Sequence, residues 1–272
     1  MDSLFSLQNQ TAAITGGSGV LGRAMAQALA QAGARVAVLG RRAEAYNKVA
    51  EEIRADGGEA MGVSCDVLDR ASLENAASQV TAAFGPVDIL INGAGGNQPG
   101  ATVSPENPFF DLPAPAVDTV FGLNFKGTFQ SCQVFGRAMA ERKQGCIINI
   151  VSMASVRPLT RVVAYSAAKA AVVNFTQWLA VHVAQNYSPR IRVNAIGPGF
   201  FLTEQNRFLL TEAETGKLTA RGQTILAHTP MARFGAPEDL IGTVLWLASP
   251  ASAFVTGIVV PVDGGFSAYS GV

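Results

Sequence analysis

A tyrosine and a lysine four residues apart are the side chains of this sequence best placed for acid–base chemistry. They belong to the run Tyr165-Ser166-Ala167-Ala168-Lys169, in which a helix would put Tyr165 and Lys169 on one face. A neighbouring ammonium group favours the phenolate, so we expect Lys169 to lower the pKa of Tyr165. Ser152 ends a predicted strand 13 residues earlier, and the intervening turn could bring its hydroxyl beside the phenol. Together they predict proton transfer to or from a substrate oxygen; the alternative is a packed tyrosine and a solvated lysine on a surface helix.

A glycine-rich segment, Thr15–Gly22, provides the second chemical signal because it follows a predicted strand and leads directly into a helix. Glycines let the backbone approach a pyrophosphate closely, and the free N–H groups of a helix N-terminus attract its charge. The residues that we expect to contact a dinucleotide here are Gly16, Ser18, Gly19, Val20, Leu21 and Gly22. An ordinary tight turn is the alternative, which the position after the first strand of an alternating chain disfavours.

The end of the second predicted strand carries two arginines, Arg41 and Arg42, and no acidic residue. In a dinucleotide-binding fold this position lies beside the adenosine ribose. An acidic residue there would accept hydrogen bonds from the ribose hydroxyls and favour NAD(H), whereas arginine can pair with a 2′-phosphate. The sequence therefore favours NADP(H) and leaves NAD(H) open. The alternative is that both arginines are solvated charges at the start of a helix.

Short apolar runs alternate along the chain with longer helical stretches, and this alternation positions the segments just described. The predicted strands are Thr11–Thr15, Arg35–Leu39, Ala60–Cys65, Val87–Asn92, Cys146–Val151, Ile191–Ile196 and Ile258–Val262. The predicted helices are Val20–Ala32, Ala43–Ala55, Ala71–Phe84, Ala116–Glu141, Tyr165–Gln185 and Pro237–Leu247. The strands are continuously apolar, which is typical of strands buried on both faces. We therefore predict an α/β fold, a single doubly wound domain over residues 1–272 with a seven-stranded parallel sheet and helices on both faces.

Two irregular segments interrupt this alternation. Gly93–Pro115 contains five of the 13 prolines, and Pro198–Pro230 mixes glycine, threonine and phenylalanine. Both follow predicted strands, so we expect both at the carboxyl edge of the sheet, where open α/β folds bind ligands. We assign cofactor binding to residues 1 to about 150, catalysis and substrate binding to about 151 to 272, and a lid to about 200 to 230.

The composition argues against several other classes of protein. Apolar residues make up 49 % of the 272 residues and charged residues 15 %, and 20 basic residues balance 20 acidic ones. A chain this apolar can bury a large core, and the absence of net charge gives no electrostatic reason to expect nucleic acid or an anionic membrane as a partner. Three separate cysteines and two distant histidines argue against a metal site. Since we find neither a secretory signal nor an apolar stretch of about 18 residues, we expect a cytoplasmic protein.

Several of these motifs together resemble the short-chain dehydrogenases/reductases. They are Thr15–Gly22, Asn92-Gly93-Ala94-Gly95, Asn124, Ser152, Tyr165-x-x-x-Lys169 and Pro198-Gly199, and they follow the family's order along essentially the whole chain. The resemblance implies a Rossmann-type fold, a nicotinamide cofactor, and a catalytic set of Asn124, Ser152, Tyr165 and Lys169. It also implies a homotetramer built from the helices Ala116–Glu141 and Tyr165–Gln185.

The same resemblance assigns further roles. Asp66 and Val67 resemble the pair that holds the adenine, and Asn92, Gly93 and Ala94 resemble the segment that steadies the sheet and lines the cofactor. Lys169 resembles the lysine that binds the nicotinamide ribose, and Asn124 the asparagine that anchors a water in a proton relay. Pro198, Gly199 and Thr203 match the segment that holds the nicotinamide amide. Two positions depart from the family's pattern. Val20 stands where the family has glycine, so we expect the glycine-rich loop to hold the diphosphate somewhat differently. Gly93 stands where the family has asparagine, which is a milder change.

Longer segments resemble one subgroup, the D-mannonate oxidoreductases or fructuronate reductases. These segments are Gly95–Pro99, Arg157–Leu159, Phe175–Trp178, Phe200–Leu210 and the tail Asp263–Val272. The resemblance implies a small sugar acid as substrate. Arg157 or Arg207 could pair with its carboxylate, or could be surface charges or form pairs between subunits. Four amides could bond its hydroxyls or could cap loops, namely Asn97, Gln98, Gln205 and Asn206.

Two other functions stay open. The run Phe208-Leu209-Leu210 could line a pocket for apolar ketones or 3-oxoacyl chains, or could pack as a lid helix on the core. A non-catalytic nucleotide sensor or scaffold is the third hypothesis, against which the intact catalytic set argues. We expect His182 and His228 to be structural.

Overall fold

A central parallel sheet positions the candidate residues. The computed structural model describes residues 2–203, 207–212 and 215–271. Its strands are β1 (Thr11–Thr15), β2 (Arg35–Gly40), β3 (Ala60–Ser64), β4 (Ile89–Asn92), β5 (Gly145–Ile150), β6 (Ile191–Pro198) and β7 (Val259–Val262). They lie in the order β3-β2-β1-β4-β5-β6-β7, and every neighbouring pair is parallel. This arrangement confirms the predicted α/β fold with its seven-stranded parallel sheet.

Helices connect the strands and cover the sheet. They are α1 (Asp2–Phe5), α2 (Val20–Gln31), α3 (Ala43–Ala55), α4 (Arg70–Phe84), α5 (Ala114–Phe121), α6 (Gly127–Arg142), α7 (Val163–Asn186), α8 (Arg207–Leu210), α9 (Ala220–Ala227) and α10 (Ile241–Ala248). Shorter 3₁₀ turns lie at Pro99–Ala101, Phe109–Asp111, Met153–Ser155, Pro237–Leu240 and Pro250–Ser252. Within the described residues, no helix is both long enough and apolar enough to span a membrane.

The five inner strands β1, β2, β4, β5 and β6 bury both of their faces, which explains their continuously apolar sequences, whereas the edge strands β3 and β7 are only partly buried. Side chains alternate along a strand, so Ile14 of β1 joins the core on one side of the sheet and Ala13 joins the core on the other. The first core is completed by Met25 and Leu29 of α2 with helices α3 and α10. The second is completed by helices α4, α6 and α7, with Phe135 at its centre. The helices therefore lie on both faces of the sheet, as predicted.

The predicted helix Ala116–Glu141 is in fact three consecutive segments. Helix α5 begins earlier, at Ala114, because Pro115 suits the first turn of a helix. Residues Gly122–Lys126 then form a π-helix, and α6 continues to Arg142. Within the π-helix the Nδ2 of Asn124 donates to the carbonyl of Val120, which is the acceptor that the Asn124 backbone N–H would use in an α-helix. The side chain thus accounts for the local change of register.

Other predicted boundaries shift by a few residues. Strand β4 begins at Ile89 and not at Val87, whereas β6 continues to Pro198 because its last residues pair with Pro261 and Val262 of β7. The predicted helix Pro237–Leu247 starts as a 3₁₀ turn before α10. Within the described residues of the lid predicted over about 200 to 230 lie the helices α8 and α9.

Candidate active site

A cavity of about 700 Å³ opens at the carboxyl edge of the sheet. Loops that follow β1, β2, β3, β4, β5 and β6 all contribute to its wall, together with the first turns of α7. This volume is within the range of sites that bind a small molecule or cofactor. The wall contains these predicted site residues: Gly16, Ser18, Gly19, Val20, Leu21, Gly22, Arg41, Arg42, Asp66, Val67, Gly93, Ala94, Ser152, Tyr165, Lys169, Pro198, Gly199 and Thr203.

The glycine loop forms one end of this cavity. Gly16 has a φ of +67°, and a Cβ there would lie 2.8 Å from the backbone of Gly93 and Ala94. A Cβ on Gly22 would overlap the Gly16 carbonyl oxygen. A Cβ on Gly19 would meet only ordinary contacts, so the unusual position of this glycine is not required by space. Helix α2 starts at Val20 with no side-chain cap, which leaves its first N–H groups directed at the cavity.

The wall beyond this loop is basic on one side and acidic on the other. Arg41 and Arg42 are exposed after β2, and neither belongs to an ion pair within the ranges that the structure describes. Asp66 follows β3, where its Oδ1 accepts the N–H of Leu68 at 2.9 Å. The carbonyl of Val67 accepts Gln130 Nε2 at 2.9 Å. The arginines are therefore available to an anionic group at this end of the cavity.

Asn92 lies beside the cavity but does not line it. Its Nδ2 donates to Asn149 Oδ1 at 2.8 Å and lies 3.2 Å from Cys132 Sγ. Asn149 in turn donates to Thr176 Oγ1 at 2.8 Å. This buried chain links β4, β5 and α7, so the side chain of Asn92 braces the sheet while Gly93 and Ala94 face the cavity.

The catalytic candidates converge at the other end of the cavity. Ser152 lies just after β5, where its Oγ accepts the N–H of Ala154 at 3.1 Å, and it is near enough to the phenol of Tyr165 in the first turn of α7 to act on the pKa of that phenol. Lys169 is only 4 % exposed, and its Nζ donates to the carbonyl of Ile150 at 2.8 Å. The same Nζ lies 5.7 Å from the centre of the Tyr165 ring. The fold therefore brings together three residues that the sequence spread over two elements.

Asn124 completes this group from the π-helix. Its Nδ2 donates to the carbonyl of Gly96 at 2.7 Å, and its Oδ1 accepts the Gly96 N–H at 3.1 Å. A Cβ on Gly95 would lie 2.6 Å from Asn124 Oδ1 and 3.1 Å from Lys169 Nζ. Both polar groups therefore border the same point beside Gly95. π-Bulges are frequent at functional sites, and this one places the fully buried side chain of Asn124 behind Gly95 and Gly96 of the cavity wall, so that Asn124 does not itself line the cavity.

Burial determines the titration of the two ionisable groups. It raises the pKa of Tyr165 above its ordinary value, while the hydrogen bond with Ser152 acts in the opposite direction. Burial lowers the pKa of Lys169 to about 8. The expectation that Lys169 lowers the pKa of Tyr165 is therefore wrong for this structure, because desolvation of the phenolate outweighs the effect of its neighbours. Tyr165 is held as a neutral phenol, which suits a proton donor.

The similarity of this chain to known proteins identifies its family. The family model for short chain dehydrogenases matches residues 10–214. The chain is 53 % identical to an uncharacterized oxidoreductase of Bacillus subtilis (strain 168) named UxuB, over 98 % of each chain. The chain belongs to the short chain dehydrogenase family.

Two solved structures resemble this family member over nearly their whole length. One is a candidate D-mannonate oxidoreductase from Haemophilus influenza with bound NAD, which is 45 % identical with a TM-score of 0.93, and the match covers 100 % of this chain and 99 % of the other. The second is a gluconate 5-dehydrogenase from Burkholderia cenocepacia J2315 in complex with NADP and tartrate. It is 31 % identical with a TM-score of 0.88, and the match covers 98 % and 99 % of the two chains.

The predicted substrate amides of this dehydrogenase that the structure describes already form hydrogen bonds within the protein. Asn97 Nδ2 donates to Thr102 Oγ1, and Gln98 Nε2 donates to the carbonyl of Ala116, each at 2.8 Å. These bonds favour the loop-capping alternative for both side chains. Gln205 and Asn206 lie outside the described residues.

The predicted substrate arginines lie at the surface. Arg157 is exposed, and its Nε donates to the carbonyl of Ser267 in the C-terminal tail at 3.2 Å. Arg207 is exposed at the start of α8. Leu210, at the end of α8, is 2 % exposed and packs inward, which favours the lid-helix alternative over an apolar pocket at that position.

The two histidines take part in local packing. The ring of His182 stacks on Trp178 with a centroid separation of 4.7 Å, on the outer part of α7. His228 Nδ1 lies 2.8 Å from the carbonyl of Thr224, one turn earlier on α9. Among the described residues, no cluster of histidine, cysteine or acidic side chains could hold a metal ion.

Sequence reasoning did not assign two glycines to the site. Gly95 and Gly96 line the cavity, and Gly96 holds Asn124 through both its N–H and its carbonyl. The sequence did offer one signal for them. Both glycines directly follow Asn92-Gly93-Ala94 at the end of β4, and no helix begins there that would need glycines for a tight turn. Cys65 and Leu123 also line the cavity, and nothing in their local sequence marks them.

Proposed function

We propose that this enzyme transfers a hydride between a nicotinamide cofactor and a small sugar acid such as D-fructuronate or D-mannonate. The observation that carries the proposal is the convergence of Asn124, Ser152, Tyr165 and Lys169 at one end of a cavity that has the glycine loop at its other end. The sugar-acid class is supported by the similarity to the candidate D-mannonate oxidoreductase and to the gluconate 5-dehydrogenase.

The cavity fits a nicotinamide dinucleotide. Gly16 and Gly22 leave backbone surface uncovered where a Cβ would collide, and the uncapped start of α2 offers N–H groups to a diphosphate. Asp66 and Val67 would hold the adenine, and Pro198, Gly199 and Thr203 would hold the nicotinamide amide. When bound, the cofactor supplies or accepts the hydride.

We propose a preference for NADP(H), with NAD(H) as the less favoured cofactor. Arg41 and Arg42 are exposed on the cavity wall after β2, where a 2′-phosphate would lie. Guanidinium groups pair with phosphate through two parallel hydrogen bonds, and no described acidic residue competes for them here.

The protein's own groups carry the proton transfer. In reduction, the phenol of Tyr165 donates its proton to the oxygen that develops negative charge, and the hydroxyl of Ser152 donates a hydrogen bond to the same oxygen. Lys169, held against the carbonyl of Ile150, would bind the nicotinamide ribose and place a positive charge near the phenolate that remains. Asn124 would anchor a water that returns a proton through Lys169. Oxidation reverses these roles.

We also propose that the enzyme acts as a homotetramer in the cytoplasm. Helix α7 supports an association between subunits because it presents Trp178 and Val181, and Tyr187 follows it directly; each of the three is more than half exposed. Sedimentation equilibrium on the purified protein tests the tetramer, and a monomer at micromolar concentration would reject it.

The reaction is tested by following absorbance at 340 nm after adding D-fructuronate, with NADH and NADPH in parallel. We expect consumption of either cofactor, faster with NADPH, and its loss in Tyr165→Phe, which removes only the phenolic oxygen. Intact cofactor binding without consumption would reject the sugar-acid assignment. Reduction of apolar ketones or 3-oxoacyl compounds in its place would favour the alternative substrate class.

A further inference from the structure

Two hydrogen bonds join consecutive residues of β5 to one face of α7. Lys169 Nζ donates to the carbonyl of Ile150 at 2.8 Å. Asn149, the preceding residue of β5, donates from its Nδ2 to Thr176 Oγ1, also at 2.8 Å. Lys169 and Thr176 lie seven residues apart on α7, a spacing that returns a side chain to the same face of a helix. The strand and the helix are therefore connected at two levels along this face.

The bond between Asn149 and Thr176 belongs to a chain of buried polar side chains. Both residues are fully buried. Asn149 Oδ1 accepts Asn92 Nδ2 at 2.8 Å, and these two asparagines are directly paired between β4 and β5. The hydroxyl of Thr176 donates to the carbonyl of Val172 at 2.7 Å, which leaves its lone pairs to accept from Asn149. Asn149 and Thr176 thus use their polar groups inside the protein, behind the cavity wall.

Stability alone does not call for polar side chains at these positions. Buried polar contacts can often be replaced by well-packed apolar ones without loss, and their best attested use is to fix one element in a unique position against another. The neighbouring apolar contact is made by small side chains, since Val172 of α7 joins Val151 and Ala195 in a core cluster. We therefore expect the directional hydrogen bond, more than the apolar contact, to set the position of α7 along the sheet.

The position of α7 along β5 determines the geometry of the catalytic groups. A helix rises about 1.5 Å per residue, so a slide by one residue would take the 2.8 Å bond from Lys169 to Ile150 out of hydrogen-bonding range. Tyr165 precedes Lys169 by one turn of the same helix, whereas Ser152 follows β5 by two residues. The same slide would therefore displace the phenol from Ser152.

We propose that Asn149 and Thr176 are positioning residues for catalysis. Their hydrogen bond fixes α7 along β5 and thereby holds Tyr165 and Lys169 in place relative to Ser152. They act through the helix and have no direct contact with the reacting atoms. The proposal rests on the roles that the proposed function gives to Tyr165 and Lys169.

The first test replaces the hydroxyl of Thr176 by a methyl group of similar size. In Thr176→Val the amide of Asn149 loses its acceptor, and we expect kcat at saturating cofactor to fall about tenfold, because a displacement of about 1 Å can cost about 100-fold. Thr176→Ser keeps the hydroxyl and should keep kcat within about twofold of the wild type. Thr11→Val is the matched control, because Thr11 is also fully buried and its Oγ1 donates to the carbonyl of Phe84 at 2.9 Å, at the amino end of β1.

A binding measurement tests the same positioning without a substrate. Lys169 would contact the nicotinamide ribose, so a displacement of α7 should weaken cofactor binding, which fluorescence titrations with NADPH and NADH measure. We expect Thr176→Val and Lys169→Met each to raise the Kd about three- to tenfold. Thr176→Val/Lys169→Met should bind no more weakly than Lys169→Met, because Thr176 acts through Lys169. A merely structural role of Thr176 would multiply the two losses.

Several results would overturn the positioning role. It is rejected by an unchanged kcat and Kd in Thr176→Val, by losses in the double variant that multiply, or by an unaltered Kd in Lys169→Met beside a raised Kd in Thr176→Val. Equal losses in Thr176→Ser or in Thr11→Val reject it as well, because the hydroxyl at position 176 would then not be the cause.

The outcomes also separate this proposal from the one on which it rests. If Tyr165→Phe abolishes reduction of D-fructuronate and Thr176→Val behaves as the wild type, the proposed function stands and the positioning role is rejected. If the wild type does not reduce D-fructuronate, or Tyr165→Phe keeps the wild-type rate, the proposed function is rejected. The binding measurements then decide by themselves whether Thr176 positions Lys169.

Discussion

Replacement of Gly95 by alanine should damage catalysis without unfolding the enzyme. The added Cβ would lie 2.6 Å from Asn124 Oδ1 and 3.1 Å from Lys169 Nζ, whereas Cβ atoms essentially never approach another heavy atom within 3.0 Å. Lys169 meets the new methyl group with the end of a flexible side chain, which can turn aside. Asn124 cannot, because its amide is held by Gly96 on both sides and by the carbonyl of Val120.

The size of the effect follows from that constraint. Asn124 must move by at least about 0.4 Å to restore a permitted contact, and its hydrogen bond to the Gly96 carbonyl, 2.7 Å long, must lengthen or break. Because a displacement of about 1 Å at a catalytic group can cost about 100-fold in rate, we expect kcat to fall about 10- to 100-fold. The KM for the cofactor should change by less than about tenfold, since the glycine loop and the arginines after β2 are untouched.

The assay is the initial rate at 340 nm at saturating cofactor, together with a thermal melt. Gly242→Ala is the control, because Gly242 lies in α10 with no atom within 4 Å of the added Cβ. The double variant Gly95→Ala/Asn124→Ala should be no slower than Asn124→Ala, since the clash disappears with the amide. A kcat for Gly95→Ala within about threefold of the wild type would refute the reasoning. A double variant whose loss of kcat equals the product of the losses in the two single variants would refute it as well.

Three other side chains carry separate expectations. Arg41→Ala should raise the KM for NADPH at least about tenfold and leave the KM for NADH nearly unchanged in initial-rate assays, whereas equal losses would remove the 2′-phosphate assignment. Because the pKa of Lys169 is lowered to about 8, the folded state loses a proton that the unfolded state keeps between about pH 8 and 10. The free energy of unfolding, measured by urea titration at several pH values, should therefore rise with pH in that window more steeply for the wild type than for Lys169→Met. The same dependence on pH in both proteins would contradict this. Arg192 is buried and donates to Ser252 Oγ and the carbonyl of Leu247, each at 2.8 Å. Arg192→Met should lower the free energy of unfolding, measured by urea titration, by about 2–4 kcal/mol. The exposed control Arg190→Met should lower it by less than about 0.5 kcal/mol, and similar losses in the two variants would argue against the buried network.

The sheet was predictable from the sequence because its five inner strands must bury both faces. That requirement is local and leaves continuous apolar runs, so β1 has its predicted limits, Thr11–Thr15. Helix α3 also has its predicted limits, Ala43–Ala55. The interruption of the long helix was not predictable in the same way. The π-helix contains Asn124, whose side chain bonds to Val120 one turn earlier and also to Gly96, a residue 28 positions away in the sequence.

The sequence by itself determined the chemical groups that the site contains. A spacing of four residues within one helix places Tyr165 and Lys169 together whatever the rest of the chain does, and glycine at positions 16 and 22 is required by the local turn. Only the tertiary structure decided how those groups behave. Burial raises the pKa of Tyr165, and the amides of Asn97 and Gln98 are taken by Thr102 and by the carbonyl of Ala116 in α5. Desolvation and contacts between separate elements depend on where distant segments pack, and spacing along the chain does not encode that.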